Sequence, residues 1–419
     1  MTFGCRVNQA DSLGFEEDLL ARGAVSSPPE QADLVVVNTC SVTATADQGA
    51  RQTIRRIARD NPGARIVVTG CYATRRPDEV RDLPNVIRVI PNDDKPRLIP
   101  LIDNVVGLTT AMRFGDGDGA CGSTIEPGVA GRTSFTLRVQ TGCAEHCSYC
   151  IIPATRGRPR SVAVETVLTE VDRVAAAGFK EIALTGVHLG SYGRDMTPAS
   201  SLDELLRALV RWGLDDNHQD VLFRISSLEP MDCSGEIVDR VAEGTPFAPH
   251  FHLPLQHASN RMLSAMQRNY TIEYFASLVH RIRARMPYAS IGSDVIVGFP
   301  GETDDDFDQL MSYLVSSPLT HVHVFPYSDR PGTEATSMKG RVPGAVVRER
   351  GRSIRAVSAR LAQTFREQQV GSVRPGLTIE DGATVVTDNY LKLHIPPGYL
   401  RNQLVRVRML SEHEGVLEG

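Results

Sequence analysis

Three cysteines, Cys143, Cys147 and Cys150, stand at C-x3-C-x2-C spacing in TGCAEHCSYCIIP, directly after a strand-like run. Thiolates this close in one loop read as metal ligands or redox groups. A structural zinc site recruits four protein ligands, and only His146 within the loop offers a fourth. Three thiolates suit a cubane [4Fe-4S] cluster better: one of its four irons then stays open to a small molecule, whereas a fourth cysteine closes it for electron transfer or structure. Three further cysteines, Cys5, Cys40 and Cys71, each end a short apolar run: TFGC, DLVVVNTC and RIVVTGC. A lone cysteine reads by default as a core thiol. Ligands in open α/β sheets gather beyond the carboxyl ends of the strands, so three strand-terminal cysteines fall on one sheet edge and point to a second shared metal site. Cys121 receives no role, and Cys233, in EPMDCSG, reads as inert.

The elements that must hold these residues follow from periodicity. Residues 1–110 alternate apolar runs with helical stretches (DSLGFEEDLLARG, GARQTIRRIARD), a βαβα order that predicts a doubly wound, mostly parallel sheet. Residues 111–132 are glycine-rich and read as a linker. Residues 133–338 repeat strand and helix signals through six strands. Six units fall short of the eight of a closed barrel, so a partial (β/α)6 barrel is expected, its active site at the strand carboxyl ends. Residues 339–374 read as a basic helical connector, with Ile354, Val357, Leu361 and Phe365 at helical spacing. Residues 375–419 return to short strands and predict a small all-β barrel.

The composition is that of a soluble globular chain: 419 residues, 41% hydrophobic, net charge -5. No apolar run of about 18 residues and no secretory start are present, so a cytoplasmic protein without a membrane segment is expected. Eight cysteines are too few for a disulfide scaffold. The overall charge argues against a broadly basic surface, yet residues 339–374 carry eight Arg and one Lys against two Glu. That local excess makes Arg348, Arg350, Arg352 and Arg355 candidates for phosphate contacts. Glu302, Asp304 and Asp305 read as a solvated helix start, and His252 and His257 as satisfied core or loop histidines.

The C-x3-C-x2-C loop at the start of a partial barrel resembles the radical S-adenosylmethionine enzymes. That resemblance implies a cluster whose open iron holds the amino and carboxylate groups of S-adenosylmethionine and whose reduction yields a 5'-deoxyadenosyl radical. It implies that Tyr149 lies near the adenine, and that Gly186 in LTGVHLG admits backbone to the methionine end. Ser227 in SSLEP and Gln256 in HLPLQHAS become hydrogen-bond partners for the ribose or the amino acid. In order, the segments resemble the methylthiotransferase family, whose last domain is of TRAM type. Its members carry a second [4Fe-4S] cluster, implied here on Cys5, Cys40 and Cys71, and hold there the sulfur to be transferred.

Within that family GCRVNQADS, NTCSVT, VVTGCYA, TGVHLGSYG and ISSLEP resemble the branch that methylthiolates threonylcarbamoyladenosine beside the tRNA anticodon. Carbon 2 of adenine bears an unactivated C–H bond, which fits radical chemistry. Sister branches act on isopentenyladenosine or on a ribosomal protein, and residues other than RVN usually follow their first cysteine. The implied partners are the tRNA anticodon loop and an electron donor such as a flavodoxin or ferredoxin, with no stable protein partner. A noncatalytic iron–sulfur RNA-binding or redox module is the rival reading; a four-cysteine ligand set serves it better.

Overall fold

The computed structural model describes residues 1–106, 127, 133–215 and 220–418; Cys121 and nearly all of the expected linker lie outside them. The first domain runs α1 (Arg6–Ala21), β1 (Leu34–Thr39), α2 (Ala44–Asp60), β2 (Arg65–Gly70), α3 (Cys71–Arg75), α4 (Pro77–Arg81), β3 (Val86–Ile90) and α5 (Leu98–Val106). The strands form a parallel sheet in the order β1-β2-β3. Successive side chains of a strand point to opposite faces. Val35, Val37, Ile66 and Val68 therefore pack on Ala50, Ile54 and Ile57 of α2, while Leu34, Val36, Val67 and Ile90 meet Phe15 and Leu19 of α1 and Leu98, Ile99 and Ile102 of α5. Both faces are covered, which makes the sheet doubly wound.

One expected strand is missing. TFGC forms only an isolated parallel bridge, Thr2 to Asn38, because Gly4 turns the chain at φ +94° and Cys5 becomes the exposed N-cap of α1. Cys40 lies one residue past β1, and Cys71 opens α3 rather than ending β2.

The second domain begins with β4 (Ser134–Arg138), then the short pair β5 (Gln140–Thr141) and β6 (Arg160–Ser161) around α6 (Ile152–Arg156). It continues through α7 (Val164–Ala176), β7 (Glu181–Thr185), α8 (Leu202–Gly213), β8 (Leu222–Ile225), α9 (Gly235–Ala242), β9 (His250–His252), α10 (Asn260–Ala265), α11 (Ile272–Arg285), β10 (Ser290–Val297), α12 (Asp304–Ser316) and β11 (His321–Pro326). The parallel ladders β4-β7-β8 and β9-β10-β11 are joined by a bridge between Phe223 and Phe247. Six parallel strands thus make an open barrel, and one large core lies between these strands and the surrounding helices.

The basic helix, α13 (Gly344–Glu367), is a wall of that barrel. Its Ile354, Val357 and Leu361 join the core that includes Val322 and Val324 of β11, and Phe365 enters the next core. That core belongs to β12 (Val373–Ile379), β13 (Thr384–Thr387), β14 (Lys392–His394), β15 (Leu404–Met409) and β16 (Gly415–Glu418), an antiparallel sheet ordered β14-β13-β12-β15-β16. A bridge from His394 to Glu414 draws its two edges together. Among the described residues no helix is long and apolar enough to cross a membrane.

The helical phase of α13 corrects one expected phosphate contact. Arg350 lies four and seven residues before Ile354 and Val357, on the buried stripe, and is 4% exposed. Its guanidinium meets Glu302 at 2.9 Å and Asp304 at 2.6 Å and lies 5.1 Å from the ring centre of Phe307. Glu302, expected in solvent, is buried too: it accepts a hydrogen bond from Gly298 N, forms an ion pair with Arg350 and lies 3.3 Å from His257. Arg348, Arg352 and Arg355 are exposed. Removing one partner of a buried ion pair strands the other in low dielectric. Arg350→Ala should therefore lower unfolding free energy by about 3 kcal/mol in denaturant titration, whereas Arg348→Ala should stay within ~0.5 kcal/mol.

Candidate active site

The first triad gathers at the carboxyl edge of the β1-β2-β3 sheet. Gly4 lies so close to Cys40 that a Cβ there would strike its side chain, which brings Cys5 to Cys40. Asn92 Nδ2 approaches Cys71 Sγ at 3.7 Å and donates to Thr155 O at 2.6 Å, tying this edge to the barrel. Burial pushes the Cys40 thiol up to about 11, and the neighbouring Cys71 and Cys5 add to the rise. A thiol so placed keeps its proton until a metal displaces it.

The second triad follows β5. Cys143 Sγ accepts from Glu145 N at 3.4 Å and lies 3.7 Å from Nδ1 of His188. His188 Nε2 in turn sits 2.7 Å from Asp232, and Gly190 makes room for that carboxylate. Burial alone would lower the His188 pKa, but its bonds to Asp232 and Cys143 push it up to about 10. Cys147 Sγ accepts from Arg268 Nη1 at 3.1 Å, and the same guanidinium pairs with Glu229 and lies 5.1 Å from the ring centre of Tyr270. Burial pushes Cys150 up to about 12. Ser148 fixes the loop, donating from N to Met266 O and from Oγ to Ala265 O.

Among the described residues only His252, Asp294 and His323 bring three metal-ligating atoms within 4.8 Å of one another. Neither cysteine triad converges that tightly, so neither suits a single ion. Thiolates spread more widely fit separate corners of a cubane, each on its own iron.

A buried polar hub ties the first domain to the barrel beside the second triad. Asp11 of α1, 1% exposed in its side chain, accepts from Lys95 Nζ at 2.6 Å, from Arg156 at 3.2 Å and from Arg138. Burial would raise the Asp11 pKa, but the three cations hold it below the usual carboxylate value. Asn8 donates to Phe3 O and Thr39 O and accepts from Arg156. Arg156 closes the helix that follows the second triad, so the first domain is bolted to the loop that carries Cys143, Cys147 and Cys150.

The other candidates differ in placement. Tyr149 packs edge-on against Phe299, centroids 6.5 Å apart, in an apolar cluster with Met262 and Met266. Gly186 is occupied by protein rather than open to a ligand: a Cβ there would stand 3.0 Å from Gln140 Oε1, and that amide holds His188 N at 2.9 Å. Ser227 Oγ lies 2.7 Å from His252, which reaches Asp294 at 3.1 Å. Gln256 is half-buried with φ +64°, a left-handed conformation rare outside glycine and asparagine, and its side-chain amide has no hydrogen bond among the described residues.

Sequence reasoning missed Arg268 and the His188–Asp232 pair. His188 stands inside the quoted TGVHLG; Arg268, in MQRNY, carried no signal.

Residues 1–91 match the uncharacterized protein family UPF0004, and residues 137–314 match the radical SAM superfamily. The threonylcarbamoyladenosine tRNA methylthiotransferase MtaB of Aquifex aeolicus is 36% identical over 97% of this chain and 98% of its own length. The protein of the same name from Bacillus subtilis is 34% identical over 94% and 88%. Among solved structures, the radical S-adenosylmethionine methyltransferase TsrM of Kitasatospora setae, with cobalamin and a [4Fe-4S] cluster bound, aligns with a TM-score of 0.54 over 79% of this chain and 66% of that one. At 18% identity this is a likeness of fold.

Cys147→Ala should lower iron and acid-labile sulfide per chain by about half, one cluster of two, while Cys40→Ala lowers the other half. Arg268→Gln should leave both contents unchanged but lower the reduction potential of one cluster in a redox titration followed by electron paramagnetic resonance, because it removes a cation that favours the reduced state.

Proposed function

Since this chain belongs to the methylthiotransferase family of radical S-adenosylmethionine enzymes, we propose that it inserts a methylthio group at carbon 2 of threonylcarbamoyladenosine next to the tRNA anticodon. The similarity to two MtaB proteins along nearly the whole chain carries this reading. Cys143, Cys147 and Cys150 hold one [4Fe-4S] cluster, and Cys5, Cys40 and Cys71 the other. When bound, the clusters and S-adenosylmethionine supply the sulfur, its methyl group and a 5'-deoxyadenosyl radical able to break an unactivated C–H bond.

The protein's own residues position and enclose. Gln256 offers an amide unpaired among the described residues to the ribose or the amino acid end of S-adenosylmethionine, Ser227 a hydroxyl that also bonds His252, and Tyr149 an apolar edge toward the adenine. Arg268 steadies the Cys147 thiolate and His188 that of Cys143. The anticodon loop is single-stranded and can present an unstacked base cheaply, with Arg348, Arg352 and Arg355 and the terminal β-domain as holds on the RNA. A flavodoxin or ferredoxin provides the electron.

Mass spectrometry of tRNA nucleosides with and without the gene tests this. The expected result is loss of the 2-methylthio form of threonylcarbamoyladenosine with accumulation of its precursor. Unchanged methylthio-nucleosides overturn the tRNA reading, and loss of the isopentenyl-type product instead assigns the chain to the sister branch.

A further inference from the structure

Strand alternation in β11 sends Val322 and Val324 to the core beneath α13 and therefore turns His321, His323 and Phe325 to the inside of the barrel. His323 is exposed and Phe325 is 43% exposed, so this inner wall borders open space. Burial, with His323 and His252 nearby, lowers the His321 pKa to about 4, so that ring is neutral at pH 7. At the strand-start end stands Tyr390 of the terminal domain. Its ring centre lies 4.6 Å from the guanidinium of Arg224 and 5.0 Å from His250. Arg224 is itself committed to Glu181 at 2.7 Å and to Asp388 O at 3.0 Å.

One cation here is not committed. Arg6 follows Cys5 directly and donates from Nη2 to the Tyr390 hydroxyl at 3.1 Å. Among the described residues that is its only hydrogen bond, and no carboxylate lies within 4.0 Å of it. A guanidinium carries five donors in a planar fork suited to a carboxylate, and this one has spare donors beside the first triad.

The substrate proposed above supplies the matching group. The threonylcarbamoyl substituent on N6 ends in a free carboxylate, whereas a dimethylallyl substituent is apolar. Carbons 2 and 6 of adenine flank N1 on the same edge of the ring. A base whose carbon 2 meets sulfur held beside Cys5 therefore brings its N6 substituent within reach of the neighbouring residue.

We propose that Arg6 reads the carboxylate of the threonylcarbamoyl substituent and that Tyr390, fixed between Arg224 and His250, holds the guanidinium in place for it. The assignment rests on the function proposed above. It gives a physical reason for a preference between substrates: an apolar substituent would leave the guanidinium dehydrated and unpaired, which costs binding.

The test uses the loaded enzyme and an anticodon stem-loop RNA carrying threonylcarbamoyladenosine or its methyl ester, which removes the charge and adds one methyl group. Wild type should prefer the acid by at least about tenfold in kcat/KM, mainly through KM, with the same ratio in RNA binding measured by fluorescence anisotropy. Arg6→Gln should bring the ratio of acid to ester close to one with iron and sulfide content intact, and Arg6→Lys should restore part of it. Equal use of acid and ester by wild type, or a retained acid preference in Arg6→Gln, overturns the role of Arg6 while leaving the reaction standing. If Arg6→Gln fails to load iron, the wild-type comparison decides. Methylthiolation of neither RNA by wild type overturns the function itself.

Discussion

Everything at the candidate site depends on a buried carboxylate. Asp11 sits on the first helix with three cations around it, one from its own domain and two from the barrel. Desolvating a charge is costly unless it is paired and hydrogen-bonded. The first domain supplies only Lys95, itself buried and held down to about 8, burial being the main cause. Arg138 and Arg156 complete the neutralisation, and they arrive only when the two domains are in register. The hub therefore selects one docking geometry, the one that brings α1 onto the end of β4 and onto the helix that follows Cys150.

The same logic explains why so few groups near the triads are free. His188 is held by Asp232, Arg268 by Glu229 and Tyr270, and Gln140 by the turn it closes beside Gly186. Each committed donor fixes a loop that would otherwise be polar, buried and mobile. Against that background Gln256 and Arg6 are notable: among the described residues the Gln256 amide has no partner and the Arg6 guanidinium hydrogen-bonds only Tyr390.

Much of the architecture was legible in the sequence because its signals are local. Apolar runs ending in cysteine marked the edge of a parallel sheet, and six strand-and-helix repeats marked an open barrel. What escaped was set by long-range pairing or by phase. Arg350 looked like part of a charged face, but charge counting ignores that it shares a helical stripe with Ile354 and Val357. TFGC looked like a strand from its apolar residues, but Gly4 turns the chain before a ladder can form. Gly186 suggested an opening for cofactor, yet the space belongs to Gln140, forty-six residues earlier and invisible to any local pattern. Arg268 and Glu229 come from different loops and meet only in the folded barrel.

The helix α13 contributes Ile354 and Val357 to the barrel and Phe365 to the terminal domain, and so belongs to two cores at once. During synthesis the barrel emerges from the ribosome before the helix that covers its last strand, and domains generally form in that vectorial order. Val322 of β11 stays uncovered until α13 arrives, leaving an open strand edge in the nascent chain. Completion of the catalytic barrel is thus timed to the appearance of the helix that leads into the terminal β-domain, and a chain arrested before α13 carries its cysteines on an unfinished scaffold.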